Sequence, residues 1–170
     1  MQTDEMLVQK NCLICETQPL HPFFDFQKTG LAPFYKEHRF DYSYRSIRYC
    51  DTCRRGVIEH YEHDCFQMDE PWDFLAWFVL DRVDLLILET YLLGCPNHFD
   101  PHCECQVHRH LQESFDNILL GPHMDRSLES ERIFNWLTVD RENAIPNFRL
   151  MEGGYYLYTG NLVLKSVVRE

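Results

Sequence analysis

Apolar and polar residues alternate in the first third of the chain and crowd together in the middle. Phe23, Phe24 and Phe26 form one aromatic cluster, and Phe40, Tyr42 and Tyr44 alternate with Asp41 and Ser43. A period of two predicts half-buried strands, the second continuing through Ile47 and Tyr49 to Cys50. Pro19, Pro22, Gly30 and Pro33 punctuate these extended pieces. From Trp72 to Leu93 the apolar positions cover more than one helical face, with Pro71 suited to a first helical position and Gly94 and Pro96 to a stop. The reading is a long apolar helix over 72–93, buried centrally or shared with a partner. Val107, Leu111, Phe115 and Ile118/Leu119 make the single stripe of an amphipathic helix that stops at Gly121-Pro122. In the tail, Ser127 suits a helix cap before Ile133, Phe134, Trp136 and Leu137, and residues 141–147 read as a loop. Phe148 to Met151, Tyr155 to Tyr158 and Leu162 to Val168 read as strands joined at Gly153-Gly154 and Gly160-Asn161. The expected class is α+β: a small β-rich module with helices, then a C-terminal helix plus β-hairpin.

Cysteine spacing changes this picture most. Cys12-Leu13-Ile14-Cys15 and Cys50-Asp51-Thr52-Cys53 are two CxxC hooks separated by 34 residues. Such pairs aim four sulfurs at one point about 2.3 Å away, which is the donor set of a tetrahedral zinc ion. Asp51 and Thr52 are helix-starting residues, and Arg54 to Asp64 has no proline, so the second hook is expected to open a helix whose dipole favours thiolates. A knuckle, a β-rich segment and a second CxxC opening a helix resemble a treble-clef zinc finger over residues 10–65. The resemblance implies zinc and a role in nucleic-acid binding, protein docking or a nuclease core.

A second candidate site lies at Cys95, His98, Cys103 and His108, spaced C-x2-H-x4-C-x4-H, with Cys105 as the alternate ligand and His102 as a further substitute. His60, His63 and Cys65 are spare donors more suited to a surface. One zinc site is expected and a second is open. The Met1 to Lys10 lead is polar and acidic, without the pattern of an export signal. Metal thiolates in a reducing cytoplasm or nucleus are therefore preferred over disulfides. No apolar run is long enough for a membrane span.

The net charge is −11, and it lies in residues 1–120, which hold 10 Lys+Arg against 20 Asp+Glu; residues 125–170 hold 6 against 7. An acidic body repels phosphate backbones and favours basic partners. Locally the balance reverses: Arg39, Arg45, Arg48, Arg54 and Arg55 sit among tyrosines and phenylalanines, a pattern that can grip single-stranded nucleic acid. The competing reading packs the aromatics around the metal module and pairs the arginines with acids.

Gly121-Pro122-His123-Met124 matches the scar of a cleaved tag followed by a start methionine. One reading therefore divides the chain into a zinc-binding domain over 1–120, a scar or linker over 121–124, and a segment over 125–170 from a fused partner that packs on the first domain. The other reading is a natural helix stop. No nucleotide-binding glycine loop, HExxH or GxSxG motif occurs, and His102-Cys103-Glu104-Cys105 lacks the downstream PCxxC of a deaminase. The sequence thus reads as a non-enzymatic, zinc-stabilised protein-binding module, an adaptor, scaffold or inhibitor subunit that docks a partner through its acidic segment over 59–89 or its exposed aromatics. A nucleic-acid-binding zinc finger is the alternative, and a zinc hydrolase at 95–108 the third reading.

Overall fold

The computed structural model describes residues 12, 14–15, 20–27, 29–30, 42–64, 72–119, 125–127, 134–142, 144–152 and 155–158. In chain order these form β1 (His21–Asp25), β2 (Thr29–Gly30), β3 (Tyr42–Tyr49), β4 (Gly56–Asp64), β5 (Trp72–Leu80), α1 (Arg82–Leu92), α2 (Gln106–Leu119), β6 (Asp125–Ser127), β7 (Phe134–Val139), β8 (Phe148–Glu152) and β9 (Tyr155–Tyr158). The class is α+β. Six strands in the order β1-β3-β4-β5-β7-β8 make a mixed sheet, and the short strands β2, β6 and β9 attach to it. All neighbours on that path are antiparallel except β5 and β7.

The aromatic cluster and the alternating run of the sequence become β1 and β3, paired from His21↔Tyr49 to Asp25↔Ser46 with a bulge between Pro22 and Phe24. Pro22 sits on a strand at the end of the sheet, where a missing N–H donor costs no ladder bond. Strands β3 and β4 form a hairpin in continuous register from Tyr42↔His63 to Tyr49↔Gly56, so residues 50–55 are its tip.

Two stretches expected to be helical are strands. Residues 57–61 of β4 and 76–80 of β5 are all buried, on strands that each lie between two neighbours in the middle of the sheet. In β5, burial on both faces removes the alternation that identifies a strand and leaves a continuous apolar run, whereas β4 buries the polar Glu59 and His60 among Val57, Ile58 and Tyr61. Asp51 and Thr52, read as helix starters after the first half of the second hook, are exposed residues of the hairpin turn. The treble-clef expectation of a helix after that hook is therefore not met; β4 stands in its place.

The helix expected over 72–93 begins only at Arg82. Asp81 is its cap, extended at ψ 173°, with its carboxylate accepting the Asp84 N–H at 2.9 Å. The apolar run is thus split by one acidic residue into a β-favouring half rich in Trp, Phe and Val and a leucine-rich helical half. Helix α2 follows its predicted stripe: Val107, Leu111, Phe115 and Leu119 are buried. Both helices bury their apolar stripes in the cluster formed with Ile47, Ile58, Phe78 and Leu80 of the sheet. Phe115 is central, with ring centroids 5.0 Å from Phe78, 5.4 Å from Phe26 and 5.8 Å from Phe148.

The tail differs from expectation as well. Phe134, Trp136 and Leu137 lie in β7 rather than in a helix, parallel to β5 from Trp77↔Phe134 to Val79↔Trp136. β8 and β9 are strands as expected, but no pairing joins them among the described residues. β8 pairs with β7, while β9 pairs with β5 at Phe74 and Leu75, beyond the stretch that β7 covers. Residues 121–124 and 162–168 lie outside the described residues, as do Arg39 and Cys65.

Candidate metal centres

The hairpin tip carries the second CxxC hook. Cys50 leaves β3, its N–H donates to the Arg55 carbonyl at 3.0 Å, and Arg54 adopts the left-handed region at φ 56° to close the knuckle. The first hook approaches it from 41 residues upstream: Cys12 Sγ lies 3.7 Å from Cys53 Sγ, and Cys15 Sγ lies 3.6 Å from Cys50 Sγ. All four sulfurs lie within 4.8 Å of one another. A disulfide needs about 2.05 Å. Sulfurs at the corners of a tetrahedron of radius about 2.3 Å are about 3.8 Å apart, and the observed edges fit that figure.

A second tetrad forms where α1 gives way to α2. Cys95, Cys103, Cys105 and His108 bring their donor atoms within 4.8 Å of one another. The Cys95 and Cys105 sulfurs lie 3.1 and 3.4 Å from His108 Nδ1. His98, expected among the ligands, is elsewhere: its Nε2–H donates to the Leu92 carbonyl at 2.7 Å. Cys105, the alternate, completes the set. His102 is exposed, and its backbone N–H bonds the Asp100 carboxylate.

Local geometry prepares His108 as a ligand. Its Nε2 lies 3.0 Å from the Asp25 carbonyl, an acceptor only, so Nε2 carries the proton and Nδ1 turns its lone pair toward the sulfurs. Burial holds the imidazole pKa below its ordinary value, keeping the ring neutral. Cys105 immediately precedes α2, so the helix-terminal thiolate expected at the second hook occurs here instead. Burial opposes its ionisation, but donated hydrogen bonds, led by the His108 N–H, pull its pKa below the usual thiol value. Three thiols behave oppositely. Burial pushes Cys12 and Cys95 each up to about 12 and raises Cys53. A cation bound at the centre of each tetrad would supply the charge that makes these buried thiols thiolates.

Of the arginines proposed as a nucleic-acid grip, Arg39 lies outside the described residues and the others differ in exposure. Arg45 is 6 % exposed, its Nε–H donating to His60 Nδ1 at 2.9 Å and its Nη1 2.6 Å from Asp116, with the guanidinium over Phe115. His60, a spare donor in the sequence, is thereby a core residue. Arg48 is half-buried beside Tyr44. Arg55 stacks its guanidinium 5.5 Å from the Trp136 ring centroid, and Arg54 is exposed at the knuckle.

No family model, curated protein or solved structure matches the chain. The two Cys/His tetrads, consistent with metal sites, are what define it.

Proposed function

We propose that this chain is a zinc-stabilised protein-interaction module, an adaptor, scaffold or inhibitor subunit that presents a rigid surface to a protein partner. The observation that carries the reading is that each tetrad is complete from the chain's own side chains. Sets of four thiolates, or three thiolates and one imidazole, suit Zn2+, and a saturated tetrahedral ion keeps no position open for water or substrate. When bound, zinc contributes folding free energy on the order of 10–16 kcal/mol per site. The surface offered to a partner includes Val83, Leu86 and Leu93 on the outward stripe of α1, with Phe99 just beyond it, all exposed. Exposed apolar side chains of this kind favour protein contacts.

Glu104, the one carboxylate suited to a hydrolase at the second tetrad, points to solvent and stands 3.6 Å from Arg109. Burial of Arg45 removes one of the cations a nucleic-acid grip would use. Elemental analysis should find two zinc ions per chain, and Cys12→Ser and Cys95→Ser should each lose one. The zinc-loaded chain should retain a saturable protein partner that the metal-stripped chain does not. Turnover abolished by Glu104→Gln with the fold intact would overturn the reading. So would salt-sensitive nucleic-acid binding lost on Arg→Ala changes.

A further inference from the structure

Where α1 gives way to the second tetrad, an open groove of about 810 Å³ lies along the connecting loop. Leu93, Pro96, Phe99 and Pro101 give it apolar walls, and Cys95 of the tetrad lines it as well. The loop is built from tight turns. The Cys95 N–H donates to the Leu92 carbonyl at 2.9 Å, the Asp100 N–H to the Asn97 carbonyl at 3.3 Å and the Cys103 N–H to the Asp100 carbonyl at 3.1 Å. His98, which also faces the groove, is held by the Leu92 carbonyl. These bonds keep Leu93 at 80 % exposure and Phe99 at 53 %, two large apolar side chains standing in water.

Charge decides what kind of chain would cover them. Asp100 is the one carboxylate lining the groove, and no Lys or Arg lines it. Between Arg82 and Arg109 the sequence holds four acids and no Lys or Arg, and two of those acids, Glu89 and Glu104, are exposed. Arg82 stands at the far end of α1, about 16 Å from Leu93 along the helix axis. Arg109 faces Glu104 at 3.6 Å. The tetrad carries the same sign. Three thiolates and a neutral imidazole around a dication would leave that centre at a net charge of about −1.

We propose that this groove docks a basic peptide segment of a protein partner. One apolar side chain of the peptide seats between Leu93 and Phe99, and a neighbouring Lys or Arg pairs with Asp100. Exposed apolar side chains beside a carboxylate, on a chain of net charge −11, complement a segment that is apolar and cationic and repel an anionic one. The proposal rests on the reading of this chain as a binding module and names the chemistry of what it binds.

The test uses the zinc-loaded full chain and three fluorescein-labelled ten-residue peptides. One has a central leucine flanked by lysines, one a central leucine flanked by glutamates, and one a central serine flanked by lysines. Fluorescence anisotropy should show saturable binding of the lysine–leucine peptide, weakening as salt rises, and about tenfold or more weaker binding of the other two. Asp100→Asn keeps an oxygen that can accept the His102 N–H, and Phe99→Ala removes a side chain already half in water. Both variants should therefore retain two zinc ions and the parent's melting temperature. Phe99→Ala should nevertheless weaken the lysine–leucine peptide about tenfold, and Asp100→Asn about threefold with a shallower salt dependence. Equal binding of the three peptides, binding of none, or affinity unchanged in both Phe99→Ala and Asp100→Asn would overturn the groove assignment. The module reading is judged separately, by zinc content, Glu104→Gln turnover and nucleic-acid binding, so either can fail without the other.

Discussion

His108 is held at both ring nitrogens, one donating to the Asp25 carbonyl and the other facing three sulfurs. His108→Ala should drop zinc content from two per chain to one and lower the melting temperature, readable by elemental analysis and calorimetry. At the other tetrad, Arg54→Gly should raise stability by about 1 kcal/mol in denaturant titration, because glycine removes the steric penalty of a positive φ. A third residue sets a pH dependence. Asp84 is buried and accepts hydrogen bonds from the Val139 N–H and the Thr138 hydroxyl, both at 3.0 Å. Burial, with the nearby Asp81 charge, raises its pKa above 3.8. A raised carboxyl contributes stability that is fully present below its ordinary pKa and is lost as pH rises through the folded value. Asp81 works the other way: burial opposes its ionisation, but the Asp84 N–H and Arg141 lower its pKa, so its contribution is lost only at still lower pH. Asp84→Asn keeps an acceptor oxygen, so its stability relative to the parent should rise between about pH 4 and pH 7, measured by urea unfolding at each end.

At the scale of elements, helix α1 meets the sheet where the backbone leaves almost no room. A Cβ on Gly56 would lie 2.6 Å from the Leu85 Cδ2, and Leu85 is buried. Gly56→Ala should therefore cost about 1–3 kcal/mol by overpacking, detectable as a lower denaturation midpoint with an unchanged slope. The elements legible in the sequence were those whose residue types recur with a fixed period. β3 alternates Tyr42 and Tyr44 with Ser43, although Tyr44 to Ile47 are all buried, and α2 shows its buried side with a period of 3.6, so Val107, Leu111 and Phe115 could be placed from spacing alone. β5 could not, because Ala76 to Leu80 are apolar on both sides and lose any period, and β4 could not, because it buries Glu59 and His60 beside its apolar residues. Asp81 was the missed signal: an acidic residue inside an apolar run, three positions before the N–H it caps. The first tetrad was legible because both hooks are rigid CxxC units. The second was not, since six Cys or His residues fall within positions 95–108 and only the fold decides that His98 bonds a carbonyl while Cys105 joins the set.

For the whole molecule, the crossover matters most. The chain leaves β5 at Leu80, passes through both helices and returns as β7 alongside β5, so the parallel pair closes only after the intervening 53 residues are in place. The C-terminal strands are thus part of the same sheet as β3 and β4. Metal withdrawal should act on this entire unit. Chelation is expected to abolish near-ultraviolet circular dichroism, and added zinc should restore it with release of protons from thiols whose pKa burial has raised, seen as buffer-dependent heats in calorimetry.

Strand β1 spans the distance between the two tetrads. At one end His21 bonds Asp51 of the knuckle; at the other the Asp25 carbonyl receives the His108 ring, and the Asp25 N–H donates to the His98 carbonyl at 2.9 Å. Five residues thus act as a tie-rod between two clamps, and slackening either one leaves the other gripping a looser end. Filling one clamp should tighten the other about tenfold, a coupling on the order of 1–2 kcal/mol. Zinc titration of His108→Ala would then show weakened affinity at the four cysteines it never touches.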